Sequence, residues 1–281
     1  MLDEGHGPAG TRRSDHCNVS RRDEDRGSKK DDDMQLTVIG SGDAFGSGGR
    51  LQTSFHVDDD GTKFLVDCGA STLIGMHREG LDPCAVETIF ITHLHGDHFA
   101  GLVWWKIHAH HTVRRKTPLT IVGPVGLEER FHATCEVLFP GSSKVEPRFE
   151  MKFVEFAERE PIEVGGTRLT AYAGEHPSGA LSAALRLERG GKVLSYSGDT
   201  QWVDTLVDCA RGADLFITEC YSYDETSIPY HLNWQVLADK IDTLAAQRVM
   251  LTHMNLNMLA NRHRVTRPDV IFANDGMVVN F

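Results

Sequence analysis

Three imidazoles and a carboxylate fall within six residues, His93-Leu94-His95-Gly96-Asp97-His98, one residue after the apolar run Thr88-Ile89-Phe90-Ile91. Packed together without a partner, such groups would repel and desolvate one another, and a bound metal cation resolves the conflict. This constrains the fold, because a strand must end here and the rest of the chain must return to the same point with further ligands. On extended backbone His93 and His95 lie two apart and point to one side, while Asp97 and His98 sit where the chain turns into a helix. Gly96 is read as permitting the tight turn between the two pairs.

Candidates for the remaining ligands each stand just past an apolar, strand-like run: His176 after Leu169-Thr170-Ala171-Tyr172, Asp199 after Val193-Leu194-Ser195-Tyr196, and His253 after Val249-Met250-Leu251. Singly, each reads as an ordinary loop residue. Jointly, and at strand ends that hold side chains rigidly, they read as a metal site.

Alternation of apolar and polar residues predicts strands at 35–40, 53–58, 63–67, 87–92, 118–122, 150–156, 167–173, 181–188, 192–197, 214–218, 248–252 and 276–280. Three- and four-residue spacing predicts helices at 71–78, 98–109, 126–138, 202–210 and 233–246. So many strands with helices between them imply an α/β fold of two sheets sandwiched by helices, with 34–281 as one domain. Residues 1–33 mix acidic and basic side chains with almost nothing apolar, so the expectation is a disordered tail, and Met34 is a candidate start.

The formal net charge of −11 argues against a broad basic face that grips nucleic acid. Two bound zinc ions would still make a local pocket cationic and suited to small anions. Six cysteines without a C-x-x-C pair read as reduced thiols, hence a cytoplasmic protein. No apolar run reaches the roughly 20 residues needed to span a bilayer, so no membrane partner is expected.

The chain resembles the metallo-β-lactamase superfamily, whose His-x-His-x-Asp-His motif matches 93–98, and the likeness runs through nearly all of 34–281. The resemblance implies an αββα sandwich of two mixed sheets and a metal-dependent hydrolase. It also implies one zinc on His93, His95 and His176, a second on Asp97, His98 and His253, and Asp199 bridging both. Asp67 resembles the family's buried aspartate that supports the ligands. Ligand type leaves Mn2+ or Fe2+ as alternatives to zinc.

Within the superfamily the chain is similar to the ribonuclease Z group of phosphodiesterases, through Ile39–Ala44, Arg50–Ser54, Phe64–Gly69, Ile91–Leu102 and Gly123–Leu127. Glu219-Cys220 followed by His231-Leu232-Asn233-Trp234-Gln235 is similar to the stretches where that group places a glutamate and a histidine for leaving-group protonation. Three departures stand out. The segment between Leu127 and His176 is too regular for the glycine-rich arm that holds transfer RNA, the residues after His253 differ, and Asn233 replaces a hydroxyl residue. A small phosphodiester of the cyclic-nucleotide kind is therefore the expected substrate, with an RNA 3′ end as the weaker variant. The resemblance also suggests a homodimer.

Zinc lowers the pKa of bound water to about 7, so a hydroxide shared by two zincs is a nucleophile at neutral pH. Asp97 would ligate and orient it, and His231, its tautomer fixed by Glu219, would protonate the departing alkoxide. Set against these roles, His231 also reads as a surface histidine at a helix start, and Glu219 as a holder of a ligand. The basic stretch Lys106–Lys116 reads as a solvated helix end rather than a phosphate-attracting entrance, and Trp104-Trp105 as core packing rather than a base-stacking platform. The competing function is acyl hydrolysis of a lactone, thioester or β-lactam at the same metals.

Overall fold

The computed structural model describes residues 34–224 and 229–281; the expectation for residues 1–33 lies outside them. Strands β1 (Gln35–Gly40), β2 (Ser54–Asp59), β3 (Thr62–Val66), β4 (Val86–Phe90), β5 (Leu119–Pro124) and β6 (Met151–Phe156) form one sheet with the late strand β14 (Val278–Asn280), in the order β14-β1-β2-β3-β4-β5-β6. The second sheet runs β13-β12-β11-β10-β9-β8-β7, from β13 (Val270–Phe272), β12 (Val249–Thr252), β11 (Leu215–Glu219) and β10 (Lys192–Tyr196) to β9 (Ala183–Arg189), β8 (Thr167–Ala173) and β7 (Ile162–Val164). Both sheets are mixed. Pairing is parallel from β3 to β6 and from β10 to β13, and antiparallel for β1 to β3 and β7 to β10.

Period-two alternation decides which core each strand feeds. On β3, Phe64 and Val66 join the cluster between the sheets, while Leu65 joins an outer cluster with Met76, Trp105 and Phe131. On β11, Leu215 and Ile217 face inward, and Phe216 joins the other outer cluster with Leu206, Leu237 and Met258. Helices α1 (Thr72–Arg78), α2 (Gly96–Phe99), α3 (Gly101–Ile107) and α4 (Leu127–Leu138) follow strands of the first sheet; α5 (Thr205–Ala210), α6 (Trp234–Lys240) and α7 (Leu256–Asn261) follow strands of the second. Strands buried on both faces and helices outside them make the layers α, β, β, α, as expected.

The predicted helix 98–109 divides into α2 and α3 and continues as a π turn over His108–Thr112. The reason is a close backbone approach. Gly101 N donates to Cys68 O and Cys68 N donates to His98 O, and a Cβ on Gly101 would lie 2.1 Å from Gly69 O. The predicted helix 202–210 begins only at Thr205, and 233–246 is helical to Lys240 and then tightens into a 3-10 turn, Ile241–Leu244. Strands β7 and β13 and helix α7 have no counterpart in the sequence reading. The two strands are three residues each, too short for alternation to register, and each takes a sheet edge.

Candidate metal centre

Parallel neighbours end at a common level, so residues just past their C-terminal ends become neighbours in space. Asp67 follows β3, His93 and His95 follow β4, Asp199 follows β10, Glu219 ends β11 and His253 follows β12. Backbone bonds lock these ends together: Ala183 N to Thr92 O links the two sheets, and His253 N to Ser41 O ties the last loop to the first. Asp67 (φ 60°) and His253 (φ 55°) both sit in the left-handed region, uncommon for non-glycine residues and found where surroundings over-determine a functional position.

The structure brings all seven predicted ligands into two adjoining groups, His93, His95 and His176 on one side and Asp97, His98, Asp199 and His253 on the other. His176 Nε2 lies 2.9 Å from His95 Nδ1. Asp199 Oδ2 lies 3.2 Å from His98 Nε2, 3.3 Å from His253 Nε2 and 3.9 Å from both His93 Nε2 and His176 Nε2. One carboxylate oxygen is thus shared by imidazoles of both groups. Asp97 Oδ2 completes the second group, 3.2 Å from His98 Nε2 and 3.3 Å from His253 Nε2.

The donor set fits divalent cations on its own evidence. Among the described residues, His93 Nε2 and Asp199 Oδ1 are buried without a hydrogen-bond partner, which is costly unless a ligand completes them. Imidazole nitrogens and carboxylate oxygens are ligand types that zinc, iron and other first-row metals accept. The protonation energetics divide the set: burial opposes charge on His98 and His253, but the facing carboxylates, Asp199 first, outweigh it and raise both. Burial and the neighbouring histidines hold His93 well below its ordinary pKa, and burial takes His176 down to about 4, leaving both as neutral donors. Burial opposes charge on Asp97 and Asp199 too, but the surrounding imidazoles outweigh it and keep both carboxylates ionised.

Asp67 supports from behind. Its Oδ2 meets His98 Nδ1 at 2.6 Å, and it accepts from Thr92 N and Thr92 Oγ1. A proton held on Nδ1 leaves Nε2 of His98 as the atom available to a metal. The Tyr230 carbonyl does the same for His176 by accepting from Nδ1 at 3.0 Å.

His231 is not a surface histidine. Its Nδ1 lies 2.9 Å from Oε2 of the fully buried Glu219, and its ring stands 4.8 Å from His176 and 5.7 Å from His253. Burial alone would lower its pKa, but the Glu219 carboxylate more than reverses this and holds it at about 9, so the imidazole is protonated at neutral pH. Glu219 is anchored in turn by Thr200 N, which donates to Oε1. Asn233, the departure noted in the sequence, caps α6 by accepting from Val236 N, a task asparagine performs as well as a hydroxyl residue.

Other readings change. Gly96 has no positive φ, and a Cβ there would meet only Ala100 at 3.8 Å, so no glycine is required. The needed glycine is Gly69, whose Cβ would lie 2.1 Å from Asp97 O. The basic stretch is not simply solvated: Lys106 is buried and donates to Ser142 O, while buried Arg115 gathers the carbonyls of Pro83, Cys84, Val86, Thr117 and Pro118. Trp105 is core, as expected, whereas Trp104 is exposed and packs edge-on against Phe139. Sequence reasoning missed Tyr221, stacked 4.7 Å from the His231 ring, and Trp202; neither belongs to a chemical motif that spacing could expose.

Known proteins share this architecture. Ribonuclease Z of Methanothermobacter thermautotrophicus is 27% identical over 267 residues, 79% of this chain and 87% of that protein, and ribonuclease Z of Agathobacter rectalis is 23% identical over 292 residues, 86% and 94%. Human tRNase Z, short form, superposes with a TM-score of 0.71 at 26% identity, covering 87% of this chain and 98% of that one. The metallo-β-lactamase fold protein YhfI of Bacillus subtilis gives 0.70 at 23%, covering 89% and 99%. With the αββα layers and the strand-end histidines, these likenesses define a metallo-β-lactamase-fold protein of the ribonuclease Z-like branch. The family described as Anti-Pycsar protein Apyc1 matches residues 34–276, and the chain belongs to that family.

Proposed function

We propose that the protein is a metal-dependent phosphodiesterase that hydrolyses a small phosphodiester of the cyclic-nucleotide kind, with two zinc ions held by His93, His95, Asp97, His98, His176, Asp199 and His253. The observation that carries the reading is the Glu219–His231 pair, an imidazole held 2.9 Å from a buried carboxylate at the rim of the ligand cluster. Zinc bound here would supply a water acidic enough to attack phosphorus at neutral pH. Asp97, in the second ligand group beside His98 and His253, would accept a hydrogen bond from that water and orient it. His231 gives its proton to the alkoxide that departs, and Glu219 stabilises the proton on His231 until then. A carboxylate behind an imidazole fixes its orientation and raises its basicity.

A small substrate is favoured over transfer RNA. Among the described residues, the segment from Leu127 to His176 is α4, a 3-10 turn and strands β6 to β8, with no long arm, and the net charge is −11. The test compares bis(p-nitrophenyl) phosphate and a nucleoside cyclic phosphate with a lactone and a thioester, using zinc-loaded protein. Turnover of the phosphodiesters is expected; appreciable turnover of the acyl substrates alone would reject the proposal in favour of carbonyl chemistry.

A further inference from the structure

Beside the ligand cluster, on the far side of His231, lies a cavity of about 310 Å3 whose walls include Gln201, Trp202, Tyr230, His231, Asn233 and Val236. That volume is at the small end of those that hold organic ligands. His231 belongs to both spaces, since its ring stands beside His176 and His253 and also lines the cavity. A molecule with its phosphorus at the ligand cluster and its leaving oxygen at His231 would extend into this cavity.

The walls are set before any ligand arrives. The Trp202 indole is held at its edge by Nε1–H donating to Asp204, 3.1 Å, and the Lys240 ammonium sits 5.0 Å from the ring centroid. Tyr230, with φ 65°, is pinned through its carbonyl to His176. The lining contains no lysine or arginine, so the cavity suits an uncharged planar group better than a second phosphate. Gln201 Nε2 donates to Glu175, 2.7 Å, which leaves Oε1 as the acceptor this side chain offers to a ligand's amino edge.

We infer that this cavity receives the nucleobase of the phosphodiester and that Trp202 is the wall on which the base stacks. The inference rests on the phosphodiesterase reading for the identity of the ligand, and its test separates the two. Zinc-loaded wild type, Trp202→Ala and Trp202→Phe are assayed on a purine nucleoside 3′,5′-cyclic phosphate and on its base-free ribose counterpart. Trp202→Ala is expected to lower the nucleotide-to-base-free ratio of kcat/KM about 10-fold, mainly through KM, and Trp202→Phe to recover most of it, because aromatic–base stacking tolerates a change of ring. A ratio within twofold of wild type in Trp202→Ala would overturn the inference.

A second measurement needs no variant. Wild-type protein is irradiated with 8-azidoadenosine 5′-monophosphate and the adduct mapped by mass spectrometry. Labelling of Trp202 or Tyr230 supports the pocket even if wild type hydrolyses neither diester, in which case only the phosphodiesterase reading falls. Labelling confined to other parts of the protein rejects the pocket and leaves that reading standing if hydrolysis is observed.

Discussion

Among the described residues Asp67 hydrogen-bonds to one predicted ligand, His98, and its hold on Nδ1 leaves Nε2 of that imidazole facing the candidate metal site. Asp67→Asn keeps the volume but removes the charge that stabilises a proton on Nδ1, so zinc affinity should fall about 10- to 100-fold, measured by competition with a chromophoric chelator. An affinity equal to wild type would show that the tautomer is set elsewhere. His231→Gln and Glu219→Gln address proton donation. Loss of a general acid costs on the order of 10²–10⁴ in rate, and the loss should be large for an alkoxide leaving group and much smaller for p-nitrophenolate, which is stable as an anion. Equal losses on both leaving groups would assign His231 to metal or substrate binding instead.

At the scale of elements, the metal motif is positioned by backbone contact more than by side chains. The loop after β3 and the start of α3 meet where Gly69 and Gly101 allow backbone to touch backbone. In Gly69→Ala the new methyl meets the Asp97 carbonyl at 2.1 Å, and α2, which carries Asp97 and His98, must move. A displacement of about 1 Å at reacting groups can cost on the order of 100-fold in rate. Gly96→Ala, by contrast, adds a methyl in open space and should change activity less than threefold or so, since exposed helical alanine is well tolerated. Comparing kcat for the two variants checks both expectations. The same geometry explains why one predicted helix became two: periodicity is blind to a contact that requires the helix to be interrupted.

For the molecule as a whole, the ligand cluster joins the two sheets, so metal binding and global stability are linked. At zinc concentrations about 100 times the dissociation constant, binding to the folded state alone contributes about 2.7 kcal/mol per site, about 5.4 kcal/mol for the two proposed sites. For a chain of this size that corresponds to roughly 10–20 °C in Tm, so dialysis against a chelator should lower the melting temperature by that amount and abolish hydrolysis; calorimetry with and without zinc measures it. The cysteines offer an independent check of the packing. Burial pushes the thiols of Cys68 and Cys209 up to about 12 and Cys220 well above its usual value, while Cys84 is only half-buried. Alkylation at pH 8, mapped by mass spectrometry, should modify Cys84 in the folded protein and reach Cys68, Cys209 and Cys220 only on unfolding.

The sequence by itself determined the candidate ligands and the layers. Histidines and carboxylates at strand ends are chemically unusual wherever they occur, and the period-two alternation of residues such as Phe64, Leu65 and Val66 assigns each face of a strand without knowledge of its neighbours. The resemblance already implies Asp199 between both ligand groups and Glu219 behind His231; only the tertiary structure decided that Gly69 and Gly101 rather than Gly96 are the glycines the motif requires, and that Trp202 walls a cavity beside the site. These are relations between segments far apart in the chain. They arise where parallel strands end level with one another and two sheets close face to face, and no periodicity within a single segment records them.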